Sequence, residues 1–297
     1  MATVLSNGGA AQGLAAEQVL GRIHDALTIV HSPTSTNQSR QEAQSFLEEI
    51  KTLPTAPEHG FTLSSDRTKA PIVRHYGLSL LEHAVKHRWN EYSPDQREYL
   101  RSWVLQLCHG VSKEDPTYLR SKKAQLWAEI AKRCWADEWT DMDELLVRLW
   151  QETPVHKEFV LQILEMLSDE IFNNGEDAVV AIREGALSKA CIEIFTPSAV
   201  LLEAFPNRQN GPNVRCGEEG WLARVTQLIG ECLNGDLEQN EEVKACAIRA
   251  LAVLNSAVAW VLPKAIDAAE CRPAACSCLA VSVLSVQKVD RLLLSLQ

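Results

Sequence analysis

The stretch APIVRHYGLSLLEHAVKHRW (residues 70–89) decides the fold, because it has more apolar surface than a one-sided helix needs. At about 100° per residue, its apolar side chains sweep roughly two thirds of the helix circumference. The polar side is narrow and consists of His75, Ser79, Glu82 and Lys86. The pattern therefore predicts a helix that neighbouring helices cover from two or three directions.

A second segment repeats this pattern. LLEHAVKHRW (80–89) aligns with LWAEIAKRCW (126–135) at an offset of 46 residues, so that Trp89 corresponds to Trp135. A period of about 40–47 residues with two helices per unit is typical of HEAT repeats, which bury helix faces between neighbouring units. We therefore predict an all-α fold, a right-handed α-solenoid of HEAT-type helical hairpins that forms an ARM-like superhelix.

The whole sequence alternates between helical patterns and short breaks, with no strand alternation. The predicted helices cover 17–31, 38–53, 71–89, 94–109, 116–136, 140–151, 155–173, 176–196, 219–234, 240–262, 264–270 and 273–295. The three-proline stretch 53–71 and the polar stretch 205–220 are predicted as long loops. Ser93, followed by Pro94, is expected to begin one helix, and Thr140 is expected to cap another.

The composition excludes several classes of protein. Of the 297 residues, 46% are hydrophobic and 23% are charged, as in a folded soluble protein. No apolar run reaches the roughly 18 residues of a membrane span, so no membrane insertion is expected. The N-terminus lacks the basic and apolar regions of a secretory signal.

The negative charge is concentrated in the middle of the chain. Residues 136–243 carry 7 basic and 22 acidic side chains, which gives this segment a net charge of −15. Such a segment repels a phosphate backbone and suits a basic protein partner. The alternative is a solvated acidic face that serves only solubility.

Catalytic, metal and cofactor motifs are not found. His83 and His87 are four residues apart but have no third ligand, and the sequence contains no phosphate-binding glycine loop. The cluster CRPAACSC (271–278) lacks metal-ligand spacing, and the scattered cysteines are expected to be reduced core thiols. The nine are Cys108, Cys134, Cys191, Cys216, Cys232, Cys246, Cys271, Cys276 and Cys278. No enzyme, metal or cofactor is predicted.

Two further features invite a nucleic-acid interpretation. Tryptophans at helical spacing are predicted to lie in the core rather than to stack on bases, namely Trp89, Trp103, Trp127, Trp135, Trp139 and Trp150. The basic run 120–133 is predicted to be a solvated helix face. Acidic pairs such as Asp141 and Asp143 are expected on exposed helices with ordinary pKa values.

With the repeats in view, three stretches resemble a known family. APIVRHYGLSLLEHAVKHRWNEYSPDQREYLRSWVLQL (70–107) resembles the N-terminal region of β-karyopherins, specifically a fungal-like exportin-five type of nuclear export receptor. KKAQLWAEIAKRCWADEWTDMDELL (122–146) resembles a second family segment, with Ala136 and Thr140 where prolines are usual. KACAIRALAVLNSAVAWVLPKAI (244–266) is similar to a helix pair that follows the first four repeats.

The resemblance implies a domain organisation. Residues 1–15 are expected to be a disordered lead-in, and residues 16–196 to form importin-β-like N-terminal HEAT repeats one to four. Residues 197–297 are expected to be the start of an exportin-like helical region. Because family members are several times longer, the chain is expected to be truncated at its C-terminus.

The resemblance also implies a function. Such receptors bind Ran-GTP and carry cargo from the nucleus to the cytoplasm, shuttling between the two. The cargo is expected to be protein, with RNA as an alternative, and the full-length receptor also meets nucleoporins. Ran contacts are expected on the second helix of each hairpin, at Gln44, Glu48, Lys51, Arg97, Arg101, Asp143, Glu144 and Arg148. The alternative function is a non-enzymatic α-solenoid scaffold for another protein partner.

Overall fold

The computed structural model describes residues 8–173, 177–204, 213–234 and 240–260, which are almost entirely helical. Its helices are α1 (Gly8–His31), α2 (Asn37–Thr52), α3 (Ala56–Ser65), α4 (Pro71–Arg88), α5 (Pro94–His109), α6 (Thr117–Cys134), α7 (Met142–Trp150), α8 (Pro154–Ser168), α9 (Ala178–Phe195), α10 (Ser198–Ala204), α11 (Gly220–Asn234) and α12 (Glu241–Val258). A 3₁₀ turn, Trp89–Glu91, follows α4, and a π turn, Asp169–Asn173, follows α8. None of these described residues belongs to a β-strand, which confirms the predicted all-α class of HEAT-type helical hairpins.

The chain divides into two compact units. The first falls within Met1–Gly110 and Glu114–Leu126, and the second within Val111–Lys113 and Trp127–Gln297. The predicted domain limits after residues 15 and 196 stay predictions. Helix α1 begins at Gly8, ahead of the first of these limits.

In the first unit, α4 is buried on several sides, as its sequence predicts. Leu80 and Leu81 are fully buried, and Tyr76 donates a hydrogen bond from its hydroxyl to the Leu47 carbonyl at 2.6 Å. The core that joins α4 to the preceding helices consists of Ile23, Ala26, Leu27, Ala43, Leu47, Ile50, Leu63, Val73, Tyr76 and Leu80. Ile72 is the exception, because its side chain is more than a third exposed.

The prediction of a loop over 53–71 is wrong, because this stretch contains α3. Pro57 lies in the first turn of α3, where a missing backbone N–H is tolerated. The buried Leu63 faces α4, and Phe61 stacks on Trp103 of α5 with ring centroids 5.2 Å apart. Helix α3 makes the most extensive helix contact of α4. Tertiary packing thus overrides the loop character that the prolines suggest.

Two glycines allow α3 and α4 to approach each other closely. A Cβ on Gly77 would lie 2.7 Å from the Gly60 carbonyl oxygen and 2.8 Å from the Ser64 backbone nitrogen. A Cβ on Gly60 would likewise lie 2.8 Å from the Gly77 carbonyl oxygen. These distances are far below van der Waals contact, so the two backbones touch only because both positions lack a side chain.

The sequence predicts the N-cap residue of α5 correctly but not that of α7. Ser93 caps α5 as predicted, with a capping box in which its hydroxyl accepts from the Gln96 backbone and the Gln96 side chain accepts from the Ser93 backbone. The prediction that Thr140 caps the next helix is wrong, because Asp141 is the N-cap residue of α7. Ala136 has a φ of 71°, a left-handed value that costs about 1–2 kcal/mol for a non-glycine residue and that proline cannot adopt.

The second unit packs its helices around apolar and aromatic contacts. Helix α12 lies against α8 and α11, and α7 packs on α8. The Trp260 ring stacks on Phe172 at 4.2 Å and meets the edge of Phe195 at 5.3 Å.

Trp135 directly follows α6, as Trp89 directly follows α4, and both are buried. The two matched segments therefore place corresponding tryptophans in buried positions directly after a helix.

Other boundaries differ modestly from the predictions. The helix expected over 155–173 is α-helical only to Ser168 and continues as the π turn. The short helix α10 was not expected. The helices predicted at 264–270 and 273–295 lie outside the described residues, as does most of the polar loop 205–220.

The close contact at Gly77 predicts that replacing glycine by alanine destabilises the chain at this position but stabilises it at Gly21. Gly77→Ala forces a methyl group into the α3 backbone and is expected to lower the free energy of unfolding by about 3 kcal/mol. Gly21→Ala is the control, because no atom beyond its chain neighbours and the nearby backbone of α1 lies within 4 Å of its Cβ position, and Gly21 is exposed. It is expected to stabilise by about 0.5–1 kcal/mol. Urea denaturation measures both, and equal effects would contradict the close contact.

Candidate partner-binding surface

Helix α2 carries three of the predicted partner residues, Gln44, Glu48 and Lys51. Its start is fixed by Thr36, whose hydroxyl accepts a hydrogen bond from the Ser39 backbone at 3.1 Å. One side of the helix is buried, and Gln44 and Glu48 lie on the exposed side. Lys51 is half-buried and pairs with Glu48 at 2.6 Å. Because Glu48 keeps 67% of its side-chain surface exposed, this pair is open to a partner.

Helix α5 holds its two predicted residues more tightly. The Arg97 guanidinium donates to the Trp89 carbonyl at 3.2 Å and lies over the Trp89 ring. Arg101 is ion-paired with Glu98, and only 16% of its side-chain surface is exposed. Both arginines therefore serve internal contacts, and a partner would reach only part of each.

The three predicted residues of helix α7 lie on different sides of the helix, two of them exposed and one buried. Glu144 and Arg148 are exposed and form an ion pair along the helix. Asp143 differs from the expectation of an exposed carboxylate, because it is buried with 3% of its surface exposed. Asp143 is therefore removed from the candidate surface, whereas Glu144 and Arg148 remain.

The buried Asp143 carboxylate anchors the segment before α11. One oxygen accepts from the indole N–H of Trp221 and the other from the backbone N–H of Cys216, both at 2.6 Å. Burial raises the pKa of Asp143, although these two hydrogen bonds oppose the rise. The segment is also held by Arg215, which donates to the Glu193 carbonyl at 2.6 Å and to the Thr196 carbonyl. Sequence analysis missed this role, because the partners are more than 70 residues away along the chain.

Removing this carboxylate should be costly. Asp143→Ala leaves two donors without an acceptor and is expected to lower the free energy of unfolding by about 2–4 kcal/mol. Asp141→Ala is the matched control, because Asp141 is exposed and makes no side-chain cap bond. Its effect is expected to stay within about 0.5 kcal/mol. Similar losses in chemical denaturation of the two variants would contradict the anchoring role.

The prediction that the basic run 120–133 is a solvated face is wrong for its central residues. Lys123 is 2% exposed and donates to Asp115 at 2.9 Å, and Arg74 donates to the other oxygen of Asp115 at 2.8 Å. Burial alone would raise the pKa of Asp115, but the hydrogen bonds from Lys123 and Arg74 hold it below its usual value. The run therefore supplies internal ion pairs in the first unit.

Lys132 makes a corresponding cluster in the second unit. Its ammonium group is 2% exposed and contacts three carboxylates, those of Glu129 at 3.0 Å, Glu170 at 2.9 Å and Asp177 at 2.7 Å. Desolvation opposes the charge, but hydrogen bonds to Asp177 and Glu170 raise the pKa of Lys132. Arg133 adds a second cation to Glu129 at 2.8 Å. The cluster ties the end of α6 to the π turn and to the start of α9.

The Asp115 pairs give stability a specific pH dependence. The pKa of Asp115 in the folded chain is below the unfolded value of about 3.9, so its contribution is present above that pH and is lost as the pH falls through the folded pKa. Asp115→Asn leaves Arg74 and Lys123 without a carboxylate and is expected to cost about 3–5 kcal/mol at neutral pH. The difference from the parent chain should shrink in acid.

Urea denaturation from about pH 7 to about pH 3 tests this expectation. The control is Asp25→Asn, an exposed carboxylate of the same unit, which should leave stability nearly unchanged at every pH. A gap between Asp115→Asn and the parent that stays constant with pH would contradict the assigned ion pairs.

The tryptophans and cysteines that the sequence analysis singled out are mostly buried. Trp127 and Trp139 are buried with ring centroids 5.1 Å apart, and Trp89 and Trp135 are buried too, which confirms their predicted core positions. Trp103 and Trp150 are half-buried. The six described cysteines are free thiols, and the cluster 271–278 lies outside the described residues.

The described residues contain neither a cluster of metal ligands nor a helix suited to a membrane. The rings of His83 and His87 lie 4.8 Å apart. Across 8–173, 177–204, 213–234 and 240–260, no three histidine, cysteine or acidic side chains are grouped so that they could hold a metal ion. Within the same ranges, no helix combines the length and apolar character needed to cross a bilayer.

Two known families match most of the chain. Residues 43–108 match the family described as Importin-beta N-terminal domain, and residues 116–289 match Exportin 1-like protein. The chain is 32% identical over 282 residues to Protein MSN5 of Saccharomyces cerevisiae, which covers 90% of this chain and 22% of MSN5.

Two further relatives carry the name Exportin-5. The protein of Mus musculus is 34% identical over 150 residues, 49% of this chain and 12% of the relative. That of Dictyostelium discoideum is 29% identical over 163 residues, 54% of this chain and 14% of the relative. The chain thus spans about a fifth or less of the length of these curated relatives.

Proposed function

The chain belongs to the exportin family of β-karyopherins and is of the exportin-five type, and from this we propose that it is part of a nuclear export receptor. In this proposal it binds Ran-GTP and carries protein cargo from the nucleus to the cytoplasm. Members of this family are transport receptors rather than enzymes. The full receptor would also meet nucleoporins on its way through the pore.

The observation that carries the proposal is the order of two matched families. An Importin-beta N-terminal domain match over residues 43–108 is followed by an Exportin 1-like match over residues 116–289. The division between the matches, at residues 109–115, lies beside the division between the two compact units. The first unit therefore contains the whole Importin-beta N-terminal match.

The exposed charges favour two surfaces for this contact. In the first unit, Gln44, Glu48 and Lys51 form an accessible polar face on α2. In the second, Glu144 and Arg148 form an exposed pair on α7. Exposed charges of this kind steer association and set specificity more than they add affinity. We propose these two faces as the Ran-GTP contacts.

The charge of the second unit favours protein cargo over RNA. Many of its acidic side chains are exposed, including Asp137, Glu138, Asp141, Glu144, Glu152, Glu184, Glu218 and Glu219. A surface of this sign repels a phosphate backbone and attracts basic protein segments. We therefore propose a basic protein segment as the cargo of this part of the receptor.

The Ran contact can be tested with the chain immobilised on beads. Ran loaded with GTP is expected to be retained and Ran loaded with GDP is not. Glu48→Lys and Glu144→Lys should each weaken retention of the GTP form several-fold at low salt, and less at high salt, because exposed charges are screened. Equal retention of the two nucleotide forms, or retention of neither, would contradict Ran-GTP binding by this chain.

Matched controls separate a local contact from a change in net charge. Glu17→Lys in the first unit and Glu184→Lys in the second reverse exposed glutamates outside the proposed faces. They are expected to retain Ran-GTP as the parent chain does. A structured RNA hairpin provides the test of cargo class, and binding to it with a steep salt dependence would contradict the preference for protein.

A further inference from the structure

A groove in the first unit lies where the ends of α3 and α5 meet α4 and α6. It has a volume of about 590 Å³ and is lined by side chains from all four helices and from the loop after α3. Ser64 and Ser65 contribute hydroxyl groups, and Leu105 and Leu107 contribute apolar surface. This volume is larger than a single ion needs, so a charged group of a ligand can enter the groove together with the part of the ligand that carries it.

Two buried cations line the groove, and both pair with one buried anion that does not line it. Arg74 and Lys123 both line the groove, and both donate to Asp115 behind it, at 2.8 and 2.9 Å. The three side chains are 8%, 3% and 1% exposed. This arrangement leaves one positive charge in excess in a poorly hydrated place, where an unbalanced charge is costly.

The rim of the groove adds positive charge. Arg67 lies at the exposed entrance, and no lining residue is acidic. Asp66, in the loop after α3, is a further carboxylate beside the lining residue Arg67, and its Oδ1 accepts from the backbone and hydroxyl of Thr68 at 2.9 and 2.6 Å. Lys69, which is exposed, and Arg74 both act on the charge of Asp66, so the cations Arg67, Lys69, Arg74 and Lys123 outnumber the two carboxylates Asp66 and Asp115. The groove is therefore a concave surface of net positive potential.

We propose that this groove binds an oxyanion group, a phosphate or a carboxylate, through the excess positive charge of Arg74 and Lys123 and through Arg67 at the entrance. A guanidinium group suits both anions, since its planar N–H groups pair with two oxygens at once. The bound oxyanion neutralises the charge that Asp115 leaves unbalanced. The groove is lined by none of the residues proposed for the Ran contact.

NMR titration of the whole isotope-labelled chain tests the proposal. Inorganic phosphate and acetate are the two probes, and sodium chloride at matched ionic strength is the reference for screening. At least one probe is expected to give saturable shifts at the amides of residues that line the groove, such as Ser65 and Gly110. Preference for phosphate indicates a phosphorylated ligand, and preference for acetate indicates a ligand with a carboxylate group.

A pair of variants locates the binding. Arg67→Glu is expected to weaken binding of the preferred probe by roughly tenfold or more, the effect of losing a charge-assisted hydrogen bond. Lys69→Glu makes the same charge change two residues away, at an exposed position that does not line the groove, and should weaken binding by less than about twofold. Thermal melts confirm that both variants are folded.

Two outcomes would overturn the proposal. In the first, neither probe gives saturable shifts beyond those that chloride produces. In the second, Arg67→Glu and Lys69→Glu weaken binding equally, which would show general attraction to a basic surface rather than a site in the groove.

Discussion

The first unit depends on the close approach of α3 and α4, which only two facing glycines permit. With Gly60 and Gly77 opposite each other, the backbones come near enough for Leu63 to enter the core beside Leu80. Helix α4 then has one side covered by α3 while α1 and α2 cover another. The surplus apolar surface of α4 is thereby buried, and its polar side remains for the ion pairs of Glu82 with Lys86 and Lys122.

Sequence reasoning succeeded where a local pattern determines the structure. The period of the apolar residues in 70–89 gave the helix and its many-sided burial, and the pair of Ser93 and Pro94 gave the start of α5. Repetition of the pattern at 126–135 placed Trp135 correctly. Such features need no knowledge of distant residues, because helix propensity, capping and amphipathicity act within a few turns.

It failed where a distant residue determines the outcome. Lys123, Lys132 and Asp143 have the charges of surface residues, yet each is buried because a partner elsewhere in the chain supplies the opposite charge or a donor. Helix α3 was missed for a related reason, since its prolines suggest a loop and only its packing on α4 makes it a helix. For the candidate partner residues, the local pattern predicts the helix that carries each one but not which side chains reach the solvent.

The cluster around Lys132 has a consequence for behaviour on heating. Burying charged groups is costly mainly because they lose hydration, and that hydration becomes less favourable as the temperature rises. The attraction between Lys132 and its three carboxylates persists meanwhile, since little water reaches the ammonium group to weaken it. The junction of α6, the π turn and α9 should therefore keep its arrangement at temperatures where contacts made by exposed loops have already loosened.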